Sequence, residues 1–289
     1  MSRTTRQMLQ GAAACVIAFA ALLILAYYVG PANWLDSAAL HGFVSIYRPG
    51  IDHIATGRAH FCNPFPYALV ALAVIAIAAK TRGLRTAAAA GFLLAGANVS
   101  SQVLKPLLAH HRELYYTEFH LNNINAAAFP SGHATAAMAL SLAVVLAVPR
   151  AYRPLAAALG ALFTIAVSFS ILILQWHYPS DVVGGYLIAT AWGLTALAGL
   201  RYVNERWPER GTVRTKARQA IRPPSATAIA GGCVFAGAVA IGVAASRAHQ
   251  LAGFADRHTA MLAVASAIAV AAALLLAAVA AISSSRRSS

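Results

Sequence analysis

Residues 172–181 read LILQWHYPSD: an apolar run stops at Trp176, and His177, Pro179 and Asp181 follow in quick succession. Pro179 suits the first turn of a helix, where its missing N–H has no partner to lose. His177 then falls just before that helix and Asp181 inside its first turn. An acid there is favoured by the helix dipole alone. It could equally accept a hydrogen bond from one ring nitrogen of His177, fixing the tautomer and leaving the other nitrogen free to attack. A neutral imidazole is a competent nucleophile at pH 7, since its unperturbed pKa is about 6.5.

Two further clusters carry groups of matching chemistry. In FPSGHATAAMAL, residues 129–140, Pro130 again reads as a first-turn residue, with Ser131 and Gly132 beside it. Free N–H groups at such a helix start bind anions, phosphate above all. Gly132 lets an oxyanion approach the backbone, and His133 could donate a proton. A plain helix start with an incidental histidine has the same sequence. In LKPLLAHHRE, Lys105, Pro106, His110, His111 and Arg112 stand together. A charged residue at a span end can also simply snorkel to the interface. Phosphoryl transfer needs cations to hold charge, one nucleophile and one acid for the leaving oxygen, and the three clusters supply that set.

The elements that must position these residues are membrane helices. The 289 residues are 60% hydrophobic and 10% charged, with a mean hydropathy of +0.66, whereas a soluble domain carries about 25% charge. Apolar runs near the bilayer-spanning length of about 20 residues occupy 9–30, 64–79, 86–108, 131–149, 154–175, 179–200, 225–245 and 259–283. The expected fold is all-α, a polytopic transmembrane helical bundle of about eight spans. A six-span core (1–200) is followed by a basic linker (201–224), then a two-span hairpin and tail (225–289). Residues 31–63 read as a long loop with room for a short interfacial helix. The first apolar run is too long for a cleaved signal peptide and reads as a retained span.

With the N-terminus in the cytoplasm, 16 of the 22 Lys and Arg residues fall on the inner side and 6 on the outer. This is the positive-inside pattern and places both termini in the cytoplasm. All 10 histidines then lie on the outer side, so the three clusters share one face. In a bacterial cell that face is the periplasmic side of the inner membrane. The net charge of +14 sits mostly in short loops, and the linker suits anionic head groups. No aromatic–basic interleaving points to nucleic acid. Cys15 and Cys233 sit in apolar runs, and Cys62 reads as a loop thiol. No metal-type Cys/His spacing is present.

Together the three clusters resemble the type 2 phosphatidic acid phosphatase superfamily in its integral-membrane, lipid phosphate branch. That family's pattern is Lys-x6-Arg-Pro, then Pro-Ser-Gly-His, then Ser-Arg-x5-His-x3-Asp. Lys105 and Arg112 have the first spacing, Pro130 to His133 match the second, and Ser170, His177 and Asp181 fit the third. The resemblance spans about residues 60–200. It implies that His177 forms a phosphohistidine, Asp181 orients it and His133 protonates the leaving group. Lys105, Arg112, Ser131 and the Gly132 amide would bind phosphate, and no metal or cofactor would be needed. The partners implied are a lipid phosphate substrate and membrane lipids.

Two positions depart from the pattern. Glu113 stands where the family has proline, and Ile171 where it has a phosphate-binding arginine. A lost charge-assisted contact to phosphate costs a few kcal/mol of transition-state stabilisation. His110, His111 or Gln175 could substitute for it. Hydrolysis of a lipid phosphate or diphosphate is therefore the expected activity. A lipid phosphotransferase, or a catalytically weak lipid-phosphate binder, is the alternative that Ile171 leaves open.

Overall fold

The computed structural model describes residues 1–112, 124–208 and 248–284. Among them the chain is helical throughout, with no strand. The helices are α1 (Arg3–Tyr28), α2 (Gly30–Ser45), α3 (Pro49–His60), α4 (Pro64–Arg82), α5 (Leu84–Leu107), α6 (Gly132–Ala147), α7 (Arg153–Ile173), α8 (Pro179–Arg206), α9 (Ala248–Arg257) and α10 (Thr259–Ser284). Six of these are long and apolar enough to cross a membrane: α1, α4, α5, α7 with the 3-10 turn before it, α8 and α10. They coincide with the expected spans 9–30, 64–79, 86–108, 154–175, 179–200 and 259–283. The expected span 225–245, Cys233 and Glu113 lie outside the described residues, as does linker segment 209–224. Residues 201–206, assigned to that linker by composition, continue α8.

The span expected over 131–149 is α6, only 16 residues long. At about 1.5 Å per residue it falls short of the ~30 Å hydrocarbon core. It tolerates this because it meets α4, α5, α7 and α8, and most of its residues are buried. A helix enclosed by protein has no bilayer thickness to match.

The loop expected over 31–63 is instead two helices, α2 and α3. Each starts with a proline in its first turn, where proline pre-sets the helical φ. Both are too short for a span, and neither carries a long apolar run, so a search for spans passes over them. α2 packs against α7 and α10 and buries Asp36, Leu40 and Phe43.

α8 is the axis of the bundle, with α1, α5 and α6 against it. α7 covers α6, α4 covers α5, and α10 lies on α7 and α2. Ile268, Ala272 and Leu276 of α10 belong to the same core as Met138, Leu142 and Tyr186. In a bilayer, lipid tails are as apolar as leucine, so helices associate through close packing and interhelical hydrogen bonds. Both are present: Trp192 Nε1 donates to Ser100 Oγ at 3.0 Å, and Asn98 donates to Tyr67 Oη at 2.5 Å. The tight α4–α5 turn rests on Gly83, whose φ of +93° costs a glycine little. α6 and α8 begin at the same end of the bundle, where α5 and α7 finish, and this end gathers the histidines of the motifs.

Candidate active site

At the start of α8 the local expectation and the structure coincide. Pro179 opens the helix, and Asp181 stands in its first turn. Asp181 Oδ2 accepts the N-cap Tyr178 N–H at 2.9 Å. The same oxygen lies 3.3 Å from His177 Nδ1. An ionised carboxylate can only accept, so the Nδ1–H of His177 donates and Nε2 keeps its lone pair.

α6 begins at Gly132, later than the first-turn reading of Pro130 suggested. Pro130 precedes the helix, and Ser131 takes the N-cap position with its Oγ accepting the Ala134 N–H at 3.3 Å. The Ser131 N–H donates to the Asp181 carbonyl at 2.9 Å. Ser131 is fully buried, so its groups join the two helix starts together. The N–H groups of Gly132 and His133 remain as the first two of the helix, without partners of its own. Above Gly132, a Cβ would stand 3.2 Å from Gln102 Nε2 and 3.4 Å from Lys105 Nζ. Lys105 and Gln102, one turn apart on α5, thus reach over a patch of backbone that only glycine leaves open. Gln102 was not singled out in the sequence; its i, i+3 spacing from Lys105 is the one signal available.

His133 faces His177 with ring centroids 6.3 Å apart and leans on Trp176 at 5.5 Å. Its Nε2 lies 3.2 Å from Asn63 Oδ1. The amide oxygen accepts, so Nε2–H donates. Burial, with His177 and Lys105 nearby, pushes the His133 pKa down to about 4. The ring is therefore neutral at pH 7 until a phosphate anion beside it favours the imidazolium, whose second proton sits on Nδ1. Asn63, the N-cap of α4, belongs to no motif and was missed.

Arg112 lies elsewhere than in the open cradle. Its Nη1 is 3.0 Å from Asp36 Oδ2 and 2.9 Å from Ser180 Oγ, and Nη2 pairs with Asp181 Oδ1. The guanidinium carbon lies 3.8 Å from the Tyr178 ring centroid and 5.3 Å from that of Tyr27. The side chain is 3% exposed. Burial opposes its charge, yet Asp181 and Asp36 hold its pKa above the ordinary value. Asp36 accepts three bonds: from Arg112, from the Ser180 N–H at 2.9 Å and from the Ser180 hydroxyl at 2.5 Å. Burial pushes its carboxyl up to about 6, against the pull of Arg112 and Ser180. A chain of opposite charges, Asp36–Arg112–Asp181, therefore backs His177. Asp36 sits in the segment read as a loop, so the sequence held no sign of it.

The residues around the motifs are also placed. Ile171 is fully buried in the main core, and Ser170 Oγ donates to the Ala166 carbonyl. His110 stacks on Tyr27 at 4.7 Å, beside Arg112. His111 is exposed, and Gln175 is buried with a φ of +55°. Cys62, read as a loop thiol, is buried, which pushes its pKa up to about 12; at neutral pH it is an inert thiol.

Gly185 lets α6 and α8 meet at the site. A Cβ there would stand 2.8 Å from the Ser131 carbonyl oxygen and 2.9 Å from the Thr135 nitrogen. Gly185→Ala must push the first turn of α6 away. It is expected to cost about 2 kcal/mol by overpacking and about tenfold in turnover by displacing the Gly132 cradle. Thermal unfolding and initial rates check the two together.

Residues 86–207 match the family described as the PAP2 superfamily, a stretch that holds the Lys105, Ser131–His133 and His177–Asp181 clusters. The fold is similar to the crystal structure of the first transmembrane PAP2 type phosphatidylglycerolphosphate phosphatase, from Bacillus subtilis. The likeness has a TM-score of 0.53 at 18% identity, over 70% of this chain and 98% of that one. None of the curated proteins compared matches the chain.

Proposed function

We propose that this chain, a member of the PAP2 superfamily, is an integral-membrane lipid phosphate or diphosphate phosphatase that works through a phosphohistidine on His177. One observation carries the reading: His177 presents Nε2 with Nδ1 held by Asp181, opposite His133 and beside the Lys105–Gly132 cradle. Phosphate oxygens would sit among Lys105 Nζ, the Gln102 amide and the Gly132 and His133 N–H groups. His177 Nε2 attacks phosphorus; the P–N bond forms as the P–O bond to the lipid breaks, and His133 gives a proton to the departing oxygen. Water then attacks phosphorus and gives its proton to His133, the P–N bond breaks, and inorganic phosphate leaves. Ser131 and Arg112 position the site from behind.

Candidate substrates are a polyprenyl diphosphate, phosphatidic acid and phosphatidylglycerophosphate. The last is named for the similar Bacillus subtilis protein. Charge bias supports a site on the outer face, which in a bacterial cell is the periplasmic side of the inner membrane. Arg82, Arg85 and Arg150 flank the helix ends away from His177, as the positive-inside rule asks of a cytoplasmic side. The test is phosphate release by purified protein from these lipids in the presence of a chelator, with trapping of an acid-labile, base-stable phosphoprotein. Absence of both would end the reading.

Ile171 favours a second reading, transfer of the phosphoryl group to another lipid or a glycan, because α7 offers no guanidinium to the site. Mass spectrometry of products separates the two: a phosphorylated acceptor or free phosphate. Since Ile171 lies in the core, Ile171→Arg is expected to destabilise the fold by at least about 2 kcal/mol, the cost of a buried unpaired polar group, with no gain in turnover. A gain at unchanged thermal midpoint would show that the family's arginine can be restored.

A further inference from the structure

Three arginines meet at the end of the bundle opposite His177. Arg82 closes α4, Arg150 lies in the 3-10 turn before α7, and Arg153 opens α7. They act on one another as like charges. Among the described residues none of them has an acidic partner. The Arg153 side chain is buried. One end of its guanidinium donates to the Ser283 carbonyl of α10, and its Nε is buried without a hydrogen-bond partner. A buried, unsatisfied charged group is costly, so the cluster is short of an anion.

An apolar groove of about 590 Å³ runs up to this cluster. Its floor is Leu140 and Val144 of α6, with Val70 of α4 on one wall and Leu159 and Phe163 of α7 on the other. It ends at Pro149 and Tyr152, which directly precede Arg150 and Arg153 in the chain. Thr81 of α4 donates to the Ala147 carbonyl at 2.8 Å and holds that end of the groove together. In a bilayer such a groove has no preference of its own, because tails elsewhere are equally apolar. Any selectivity must come from the head group, and here two of the three cations directly adjoin the residues that end the groove.

We infer that this groove and the Arg82–Arg150–Arg153 cluster form a second lipid site, which takes an anionic phospholipid from the leaflet opposite the active site. The tail lies along α6 between α4 and α7, and the phosphate sits among the arginines. Basic pockets between membrane helices bind anionic head groups in this way. The arginine end of the site lies away from the His177 chemistry, at the other end of α6 and α7, while the groove's lining extends to Phe61.

The test uses the full chain in nanodiscs of phosphatidylcholine alone, with added phosphatidylglycerol, or with added inorganic phosphate. Retained lipid is counted by native mass spectrometry, and the thermal midpoint is measured. Phosphatidylglycerol is expected to be retained over phosphatidylcholine by about tenfold or more and to raise the midpoint, while inorganic phosphate does neither. Arg82 and Arg150 are exposed, so Arg82→Gln/Arg150→Gln should fold, lose the preference and keep its phosphatase rate within about twofold. Val144→Phe, which fills the groove, should lose retention with the arginines intact. Undiminished phosphatidylglycerol retention in the arginine variant would overturn the site. So would an equal midpoint shift from inorganic phosphate. If Val144→Phe raises KM for the lipid substrate and leaves phosphatidylglycerol retention unchanged, the groove holds the substrate's tail and the inference fails.

Discussion

His177→Ala is expected to lower phosphate release from a lipid phosphate by at least about 10³-fold, the scale on which loss of a covalent nucleophile is felt when the rest of its unit remains. Substrate binding should persist, because Lys105, Gln102 and the Gly132 backbone are untouched. The phosphoprotein should disappear altogether. His133→Ala should behave differently. For a lipid alkoxide, which needs a proton to leave, the loss is about 10²–10⁴-fold. For p-nitrophenyl phosphate, whose phenolate leaves unaided, the loss should be much smaller. Full activity in His177→Ala would remove the mechanism. Equal losses for both substrates in His133→Ala would remove only its role as acid.

Much of this arrangement was legible in the sequence because the signals were local. The start of α8 could be read from Pro179 and Asp181, since a first-turn proline and an N3 acid act within one turn. The long spans could be read because bilayer thickness imposes their length. The legible part ended where function depends on contacts between distant segments. Asp36 comes from α2, a helix too short to register as a span, and meets Ser180 and Arg112 only through tertiary packing. Asn63 finds His133 from the cap of α4. Ser131 sat at the expected place in chain order, yet the later start of α6 makes it the cap and turns its N–H toward the Asp181 carbonyl.

Arg112 is where sequence and geometry part most sharply. Its spacing from Lys105 marks it as a phosphate ligand by resemblance, but its guanidinium is enclosed by Asp36, Ser180, Asp181 and two tyrosine rings. The two roles predict different outcomes for Arg112→Leu. As a positioning residue, its loss leaves two buried carboxylates without their cation, an expected cost of about 3–5 kcal/mol of stability. Asp36→Asn in the same chain should then restore a large part of that loss, since coupled partners are not additive. As a direct phosphate ligand, its loss would raise KM and leave stability almost unchanged, and Asp36→Asn would rescue nothing.

The pH dependence of Arg112→Leu makes a further separation. In the folded protein Asp36 already titrates at about 6, above its ordinary 3.8, because burial favours the protonated form. A carboxyl with a raised folded pKa gives its stabilising contribution below its unfolded value and loses it as pH rises through the folded one. Without the pull of Arg112 the folded value rises further. The stability deficit of Arg112→Leu should therefore be largest at pH 7 and above, and shrink as pH falls toward 5, while Arg112→Leu/Asp36→Asn shows a much flatter curve. A deficit that is constant across this range would mean that Asp36 is not the charge Arg112 holds.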